Sequence, residues 1–143
     1  MKRIHKYRFW DTWNENMVYQ KPHYYEGISL NRLFSSYSSH ERGGNNPILM
    51  QSVGKLDVGD KLIYQHDILK TFHFEDNEGE AHYLYHLVEW SREYASLFAV
   101  NARDKSFEEP KRGNGTIPLW IYMKNSEPII AGNKHANPEL LEE

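Results

Sequence analysis

Short runs of aromatic and β-branched residues, each followed by turn-forming residues, recur along this chain and constrain its fold more than any other feature. Phe, Trp and Tyr make up 14% of the residues, and such side chains suit the pleated, half-buried surface of a strand. Near the start, the runs at 7–10 and 17–19 flank a turn-rich segment at 11–16, a pattern that predicts a β-hairpin. The sequence therefore predicts a mostly β fold of the β-rich α+β class.

Further runs of the same kind predict the remaining strands. An acidic segment at 75–80 contains Asn-x-Gly and predicts a tight reversal between two long strands. The segment 90–100 fits either a helix or a strand, and the shortness of its second half favours a strand. Two polar segments, 35–46 and 105–114, have too few apolar side chains to offset their ordering entropy and predict loops. The strands predicted after the hairpin cover residues 48–53, 62–74 with a bend at 65–67, 82–90, 95–100, 117–123 and 129–130.

One short internal helix is predicted after the hairpin. Leu30, Leu33, Phe34 and Tyr37 follow helical spacing, and Ser29 ahead of them is a good N-cap. This is the one early segment in which apolar residues repeat at the helical period.

The tail predicts a short C-terminal helix. Asn137 is a preferred N-cap, Pro138 suits the first helical position, and Glu139 lies where the helix dipole favours an acid. So short a helix is stable only when packing holds it, and Leu140 and Leu141 must therefore dock on something. We expect the tail to dock on the chain's own body. The alternative is docking on a neighbouring subunit, because the basic start of one chain would attract the acidic end of another.

Length and composition place limits on the fold and on the compartment. A chain of 143 residues suits one domain, residues 1–143, whose core is large enough to fold without disulfide bonds or structural metal ions. It contains no cysteine, which excludes disulfide scaffolds, thiolate metal sites and cysteine nucleophiles and fits a reducing compartment. It shows neither the apolar segment of a signal peptide nor an apolar run of membrane-spanning length. We therefore expect a protein of the cytoplasm with no membrane partner.

Four sequence motifs follow one another along nearly the whole chain. They are RFWD at 8–11 with Met17 and Tyr19, LMQSVG at 49–54 leading to IYQHDI at 63–68, VEW at 88–90, and GNKHANPELL at 132–141. The last is the most specific, since a Gly-Asn turn a few residues before Asn-Pro-Glu-Leu-Leu rarely arises from composition alone. With these motifs the chain resembles the YopX family, small proteins encoded by phages and prophages of low-GC Gram-positive bacteria.

The resemblance implies a mostly β architecture built on a small barrel-like antiparallel sheet, and a gene carried on mobile elements. It implies no biochemical activity, since the family has no established one, and no catalytic residue is carried over. The chain departs from the family pattern at three places. The family has Thr-Gly in place of Val53-Gly54, a glycine in place of His66, and its turn glycine one position after Gly59.

The histidines raise the question of a metal site or a catalytic site. The chain has eight histidines, and four of them lie near acidic residues in sequence: His66, His73, His82 and His86, with Asp67, Glu75 and Asp76. Imidazole and carboxylate groups hold zinc or manganese, but the spacing of these residues matches no metal-binding or hydrolytic motif. A site of either kind requires His66, Asp67, His73 and His82 to converge in a cleft. We predict no metal, no cofactor and no enzymatic activity.

Nucleic-acid binding is the alternative function. Lys2, Arg3, Lys6 and Arg8 alternate with aromatic residues, and small β-barrels use such strands to stack bases. The net charge of −3 opposes this interpretation, and Trp10 is expected in the core. We therefore favour a non-enzymatic protein-interaction module that binds a protein partner or itself as a homo-oligomer. Its candidate interaction residues are Arg8, Trp10, Tyr64, Asp67, Leu140 and Leu141.

Overall fold

Antiparallel strands dominate the fold. The computed structural model describes residues 6–20, 47–103, 107, 110 and 115–142, and the chain forms two compact units, residues 1–52 and 53–143. The mostly β fold class is confirmed. The predicted helix at 30–37, the predicted loop at 35–46, most of the predicted loop at 105–114, and the basic residues Lys2 and Arg3 lie outside the described residues.

The first unit is built on the predicted N-terminal hairpin. Strands β1 (Tyr7–Asp11) and β2 (Asn16–Tyr19) pair antiparallel, and β1 also pairs with the first part of β3 (Ile48–Leu56). Asp11 shapes the turn: its Oδ1 accepts hydrogen bonds from the backbone N–H groups of Trp13 and Asn14, at 3.0 and 3.1 Å. Burial raises the pKa of Asp11, but the hydrogen bonds from Asn14 and Trp13 outweigh it and hold the pKa below its usual value.

The buried aromatic residue of this hairpin is Phe9. Phe9 is 2% exposed and Trp10 is only half-buried, so the placement of Trp10 in the core is wrong. Consecutive residues of a strand face opposite sides of the sheet, and Phe9 and Trp10 therefore cannot share one core face. Arg8 is buried on the Trp10 side, where its Nη1 lies 3.4 Å from the Tyr19 hydroxyl oxygen.

The second unit contains a five-stranded antiparallel sheet. Its order is β8-β7-β6-β5-β9, and it curls into a half-barrel with β8 and β9 at its edges. The short strand β4 (Leu62–Tyr64) adjoins β3. The strand alternative for 90–100 is confirmed, because β6 runs to Ser91 and β7 begins at Ser96. The bounds are β5 Asp67–Glu75, β6 Ala81–Ser91, β7 Ser96–Asn101, β8 Ile117–Pro118 and β9 Ile129–Asn133.

Both faces of this sheet carry an apolar cluster. One cluster consists of Ile63, Leu69, Val88, Ala99, Leu119 and Tyr122. The other consists of Ile68, Leu87, Phe98, Val100 and Leu141. Strands buried on both faces read as continuous apolar runs, which explains why the segments at 68–69, 87–88 and 98–100 do not alternate.

The segment predicted as a strand at 117–123 is mostly helix. Strand β8 ends at Pro118, and helix α1 (Leu119–Asn125) follows directly. Proline lacks the N–H that a strand ladder needs, and its fixed φ suits the entry to a helix. Leu119 and Tyr122 are buried on the sheet while Trp120 is 64% exposed, and this is helical rather than alternating spacing. The strand prediction for this segment was therefore wrong.

Four described residues other than glycine have a left-handed backbone, and all four lie in turns: Glu15, Asp60, His66 and Ala95, with φ 53°, 62°, 73° and 48°. Asp60 and His66 stand at the two turn positions at which the chain departs from the glycines of the YopX pattern. Glycine adopts this conformation freely, but residues other than asparagine and aspartate rarely do. Contacts of its neighbours and of its side chain therefore hold the turn at His66.

The predicted C-terminal helix is a short 3-10 helix, Pro138–Leu141. Leu141 is 8% exposed and packs in the cluster with Ile68, Leu87, Phe98 and Val100, while Leu140 packs against that cluster from a half-buried position. Docking of the tail on the chain's own body is confirmed. Asn137 stands at the N-cap position, but its side chain does not cap the helix. Its Oδ1 instead accepts a hydrogen bond from the Asn133 N–H at 3.2 Å.

Candidate interaction groove

An apolar groove with two exposed tryptophans crosses one end of the second unit. It encloses about 300 Å³, the lower end of the range for ligand pockets. It forms where the end of β6, the start of β7, helix α1 and the last part of β3 meet. Its lining residues are Val53, Lys55, Trp90, Ala95, Ser96, Leu97, Leu119, Trp120 and Met123.

The two tryptophans come from strand β6 and from helix α1, which packs on that face of the sheet. Trp90 pairs with Leu97 across β6 and β7, and it lies two residues after Val88, on the face that α1 covers. Trp120 is in the first turn of α1, next to the buried Leu119. Trp90 is 47% exposed and Trp120 is 64% exposed. The fold therefore leaves two large indole surfaces open to solvent at one place.

The charge of the groove is positive. Among the described residues that line it, the charged one is Lys55, which is exposed on the last part of β3. Two wider depressions of the same unit enclose about 470 and 620 Å³, and polar groups form a larger share of their walls. Because burial of apolar surface and of tryptophan dominates binding energy at protein surfaces, the Trp90–Trp120 groove is the strongest candidate for a binding site.

A charged cluster lies elsewhere in this unit. Glu89 is 7% exposed, and its Oε1 lies 3.1 Å from Lys134 Nζ and 3.2 Å from His66 Nε2. Nδ1 of His66 lies 2.9 Å from Nε2 of His135. Burial raises the pKa of the Glu89 carboxyl, and the ammonium group of Lys134 opposes that shift.

The turn after β9 places Lys134 and His135 in this cluster. The Oδ1 of Asn133 accepts hydrogen bonds from the N–H groups of His135 and Ala136, at 3.0 and 2.9 Å. A side chain at Gly132 would collide with the side chain of Asn137, which bonds back to Asn133. The turn therefore depends on Gly132 and on the side chains of Asn133 and Asn137.

A known protein family matches nearly the whole chain. The family described as YopX protein covers residues 6–142. The chain belongs to the YopX family. The resemblance inferred from the four motifs is thereby confirmed, and the geometry of the GNKHANPELL segment explains its specificity: it closes the turn and seats Leu141 in the core.

A solved structure is similar to this YopX-family chain. It is the crystal structure of protein EF1440 from Enterococcus faecalis, with 17% sequence identity and a TM-score of 0.48, covering 99% of this chain and 100% of that chain. No curated protein matches the sequence. Within the described part of the chain, no helix has the length and apolar character needed to cross a membrane.

The six candidate interaction residues of this YopX-family chain do not form one surface. Arg8, Tyr64, Asp67 and Leu141 are buried, and Trp10 and Leu140 are half-buried. Asp67 serves the β4–β5 turn, where its Oδ2 accepts a hydrogen bond from the Tyr64 N–H at 2.8 Å. The side chains most open to a partner are others, and the role of these six in binding stays a prediction.

The residues considered for a metal or catalytic cleft lie at different places. His66 lies in the turn before β5 and Asp67 begins that strand, whereas His73 lies near its far end, about 20 Å away for an extended strand. His82 instead bonds to Asp76, with Nε2 and Oδ2 2.8 Å apart, and that hydrogen bond lowers the pKa of Asp76. Within the described part of the chain these four residues therefore do not converge in one cleft, which a site built from them would require.

His86, the remaining member of the set, is a core residue. It is 5% exposed, its ring centroid lies 4.8 Å from that of Tyr122, and its Nε2 donates to the Gly115 carbonyl oxygen at 3.1 Å. Burial lowers the pKa of His86, and the bond to Gly115 opposes that shift.

Sequence reasoning missed both the groove and the charged cluster. The strand predicted at 117–123 includes Trp120, although the spacing of Leu119, Tyr122 and Met123 places it on the outer side of a helix. The signal for the cluster was an acid within a buried strand, Glu89, next to Val88. A buried acid needs a partner, and its partners come from distant turns that the sequence does not bring together.

Proposed function

We propose that this chain is a non-enzymatic protein-interaction module of phage or prophage origin that acts in the cytoplasm of the bacterial host. It binds an apolar segment of a partner protein in the Trp90–Trp120 groove, and that segment carries acidic groups beside its apolar anchors. The partial exposure of the two tryptophans in one apolar groove is the observation that supports the proposal.

The groove offers large apolar surfaces that are costly to leave in water. Trp90 and Trp120 are about half and two-thirds exposed, and Leu97 and Met123 also line the groove. Tryptophan is among the residues that contribute most to protein interfaces, because a rigid indole buries a large area with little loss of conformational freedom. An aliphatic or aromatic side chain of a partner fits between such walls.

The charge of the groove selects the flanking groups of the partner. With Lys55 at the rim, an acidic residue beside the apolar anchor gains attraction and a basic residue is repelled. Such a rim pair adds little affinity, but it orients the bound segment and discriminates between partners.

Single-stranded nucleic acid is the alternative occupant, since bases stack on exposed tryptophans. Affinity for nucleic acid depends on several phosphate contacts. The described lining supplies one cation, Lys55, and the whole chain has a net charge of −3. The groove therefore fits a protein segment better than a polynucleotide.

Selection from a random-peptide display library tests the proposal. The wild-type chain is the bait, and the Trp90→Ala/Trp120→Ala double variant is the counter-selection. We expect enriched peptides that combine apolar anchors with acidic residues. Each single Trp→Ala change should weaken their binding by about 30-fold, the equivalent of about 2 kcal/mol at a hot spot. Lys55→Glu should weaken acidic peptides more than neutral ones.

Trp13→Ala is the matched control, because Trp13 is 55% exposed in the β1–β2 turn and belongs to the first unit. It should leave peptide binding unchanged. The proposal is wrong if no peptide is enriched, or if enriched peptides bind the Trp90→Ala/Trp120→Ala variant as well as the wild type. It is also wrong if an oligothymidylate binds the wild type in a tryptophan-dependent way while peptides do not.

We propose self-association as a second property of the chain, as expected of a homo-oligomer. Sedimentation velocity of the wild type and of the Trp90→Ala/Trp120→Ala variant distinguishes the two kinds of occupant. If the wild type is an oligomer and the variant is a monomer, the groove binds a second copy of this chain. The proposal that it binds a segment of a different protein would then be wrong.

A further inference from the structure

Two histidine nitrogens converge in the charged cluster of the second unit. His66 comes from the β4–β5 turn and His135 from the turn after β9, and their nitrogens lie 2.9 Å apart. Backbone hydrogen bonds hold the two turns in place: the His66 N–H donates to the Val88 carbonyl at 2.8 Å, and the Lys134 N–H donates to the His66 carbonyl at 3.0 Å. These bonds tie the His66 turn to strand β6 and the Lys134 turn to the His66 turn, and so fix the positions of the two imidazoles.

The Glu89 carboxylate determines which nitrogen of His66 carries the proton. It lies 3.2 Å from His66 Nε2, and a carboxylate accepts hydrogen bonds, so Nε2 is the protonated nitrogen. The lone pair of His66 then lies on Nδ1, the atom that faces His135. A carboxylate hydrogen-bonded to the far nitrogen of an imidazole is the arrangement found behind metal-ligating histidines, where it orients the ring and raises its basicity.

The distance between the two nitrogens suits a shared metal ion. Ligands about 2.0–2.1 Å from a metal are separated by about 2.9 Å at a right angle and by about 3.3 Å at the tetrahedral angle. The 2.9 Å between His66 Nδ1 and His135 Nε2 therefore needs only a small movement to accommodate an ion. With the lone pair of His66 on Nδ1, the proton of this hydrogen bond is on His135 Nε2, and it moves to His135 Nδ1 or to solvent when the ion binds. The rings are tilted by 58° with centroids 5.0 Å apart, so neither ring covers the other's nitrogen.

The backbone at His66 adds an independent observation. With φ 73°, His66 occupies a left-handed conformation that costs of order 1 kcal/mol or more for a residue with a branched or bulky side chain. Glycine would adopt it without strain. The imidazole at this position contacts Glu89 through Nε2 and His135 through Nδ1, and such contacts offset the cost of the backbone conformation.

The geometry points to a binding site for a late first-row divalent metal ion, with His66 Nδ1 and His135 Nε2 as its ligands and Glu89 as the hydrogen-bonded carboxylate behind His66. Imidazole favours Cu²⁺, Ni²⁺ and Zn²⁺ over Mg²⁺ and Ca²⁺, with Cu²⁺ bound most tightly. The His66 side chain is 19% exposed, so water completes the coordination. This site is independent of the proposed peptide groove.

A second group of potential ligands provides the internal comparison. Ligand atoms of Asp76, Glu80 and His82 lie within 4.8 Å of one another in the β5–β6 turn. Oδ1 of Asp76 already accepts the N–H groups of Glu78 and Glu80, and its other oxygen bonds to His82. These bonds account for the arrangement of the turn without any ion, and we place the site at His66 and His135.

Titration of the full chain with Cu²⁺, Ni²⁺ or Zn²⁺, without an affinity tag, tests the site by calorimetry. Because the chain has eight histidines, variants must locate the ion. His66→Gly is the decisive one: glycine suits the left-handed backbone, so the fold is retained while the ligand is lost. We expect His66→Gly and His135→Ala each to lower the Cu²⁺ affinity at least tenfold, and Glu89→Gln to lower it by about 10-fold or more.

His73→Ala and His82→Ala are the controls, and both should bind Cu²⁺ like the wild type. Electron paramagnetic resonance of the Cu²⁺ complex should show coupling to two imidazole nitrogens, reduced to one in His135→Ala. The proposal is overturned if folded wild-type protein binds none of the three ions, which would leave a histidine–histidine hydrogen bond alone. It is equally overturned if folded His66→Gly binds Cu²⁺ unchanged, or if His82→Ala removes binding.

Discussion

Replacement of Leu141 by alanine should destabilise the chain more than any other single change in its tail. Leu141 is 8% exposed and packs among Ile68, Leu87, Phe98 and Val100. Loss of a fully buried leucine costs about 3–5 kcal/mol, including the cavity it leaves. Leu141 lies near the chain end, where the 3-10 helix can settle into part of the cavity, and we expect a loss of about 2–3 kcal/mol.

Urea unfolding followed by circular dichroism measures this loss, and a thermal melt should show a decrease of about 10 °C in Tm for a chain of this size. Leu140→Ala is the matched control, because Leu140 is the half-buried neighbour in the same helix. Both changes alter helix propensity equally. Leu140→Ala should cost about 1 kcal/mol in proportion to the smaller area it buries.

Equal and small losses for the two variants, below about 0.5 kcal/mol, would refute the docking of the tail as a source of stability. Deletion of 137–143 extends the same test and should lower stability by more than Leu141→Ala, since it also removes the Asn137 bond to Asn133. If the deletion instead splits an oligomer without changing its melting, the tail docks on a neighbouring subunit in solution.

Three further predictions concern other parts of the fold. Phe9→Ala should cost about 3–5 kcal/mol and Trp10→Ala clearly less, because Phe9 is buried and Trp10 is half-buried; urea unfolding that ranks them the other way would contradict the assignment of the core. Gly132→Ala should cost about 1–3 kcal/mol in the same assay, since its methyl group meets the side chain of Asn137, and a neutral result would show that the turn can shift. Burial holds the pKa of His86 below its ordinary value of 6.5, so the unfolded chain takes up a proton first and stability falls as pH decreases from 6.5 toward the lower folded pKa. His86→Gln should reduce that fall between pH 7.5 and 5.5, whereas His73→Gln at an exposed site should not; identical pH dependence in both variants would count against the neutral buried state.

Most of the fold could be predicted from local patterns. The hairpin at 7–19 and the strands around 75–80 are marked by alternating aromatic residues and by turn residues with a defined chemistry, and those signals act over a few residues. The strand prediction for 117–123 was wrong because Pro118 divides this segment into a short strand and a helix. A two-residue strand and a seven-residue helix are both shorter than the window in which periodicity distinguishes them.

The candidate sites were much less predictable. Trp90 and Trp120 are 30 positions apart in the sequence, and their meeting depends on α1 packing across β6 and β7. The same holds for Glu89, His66 and His135, which come from a strand and two turns. No local pattern encodes such distances, because side chains that converge in space share no sequence period.

The sequence by itself determined the family, the β-rich class and the closing turn, because these depend on short motifs whose residues contact one another directly, as Gly132, Asn133 and Asn137 do. Tertiary structure alone decided which aromatic side chains are buried and which remain exposed. In a sheet covered on both faces, the burial of a side chain depends on which element packs over it. Trp90 stays exposed because helix α1 does not cover its side chain completely, and Leu141 is buried because the tail packs back on the sheet.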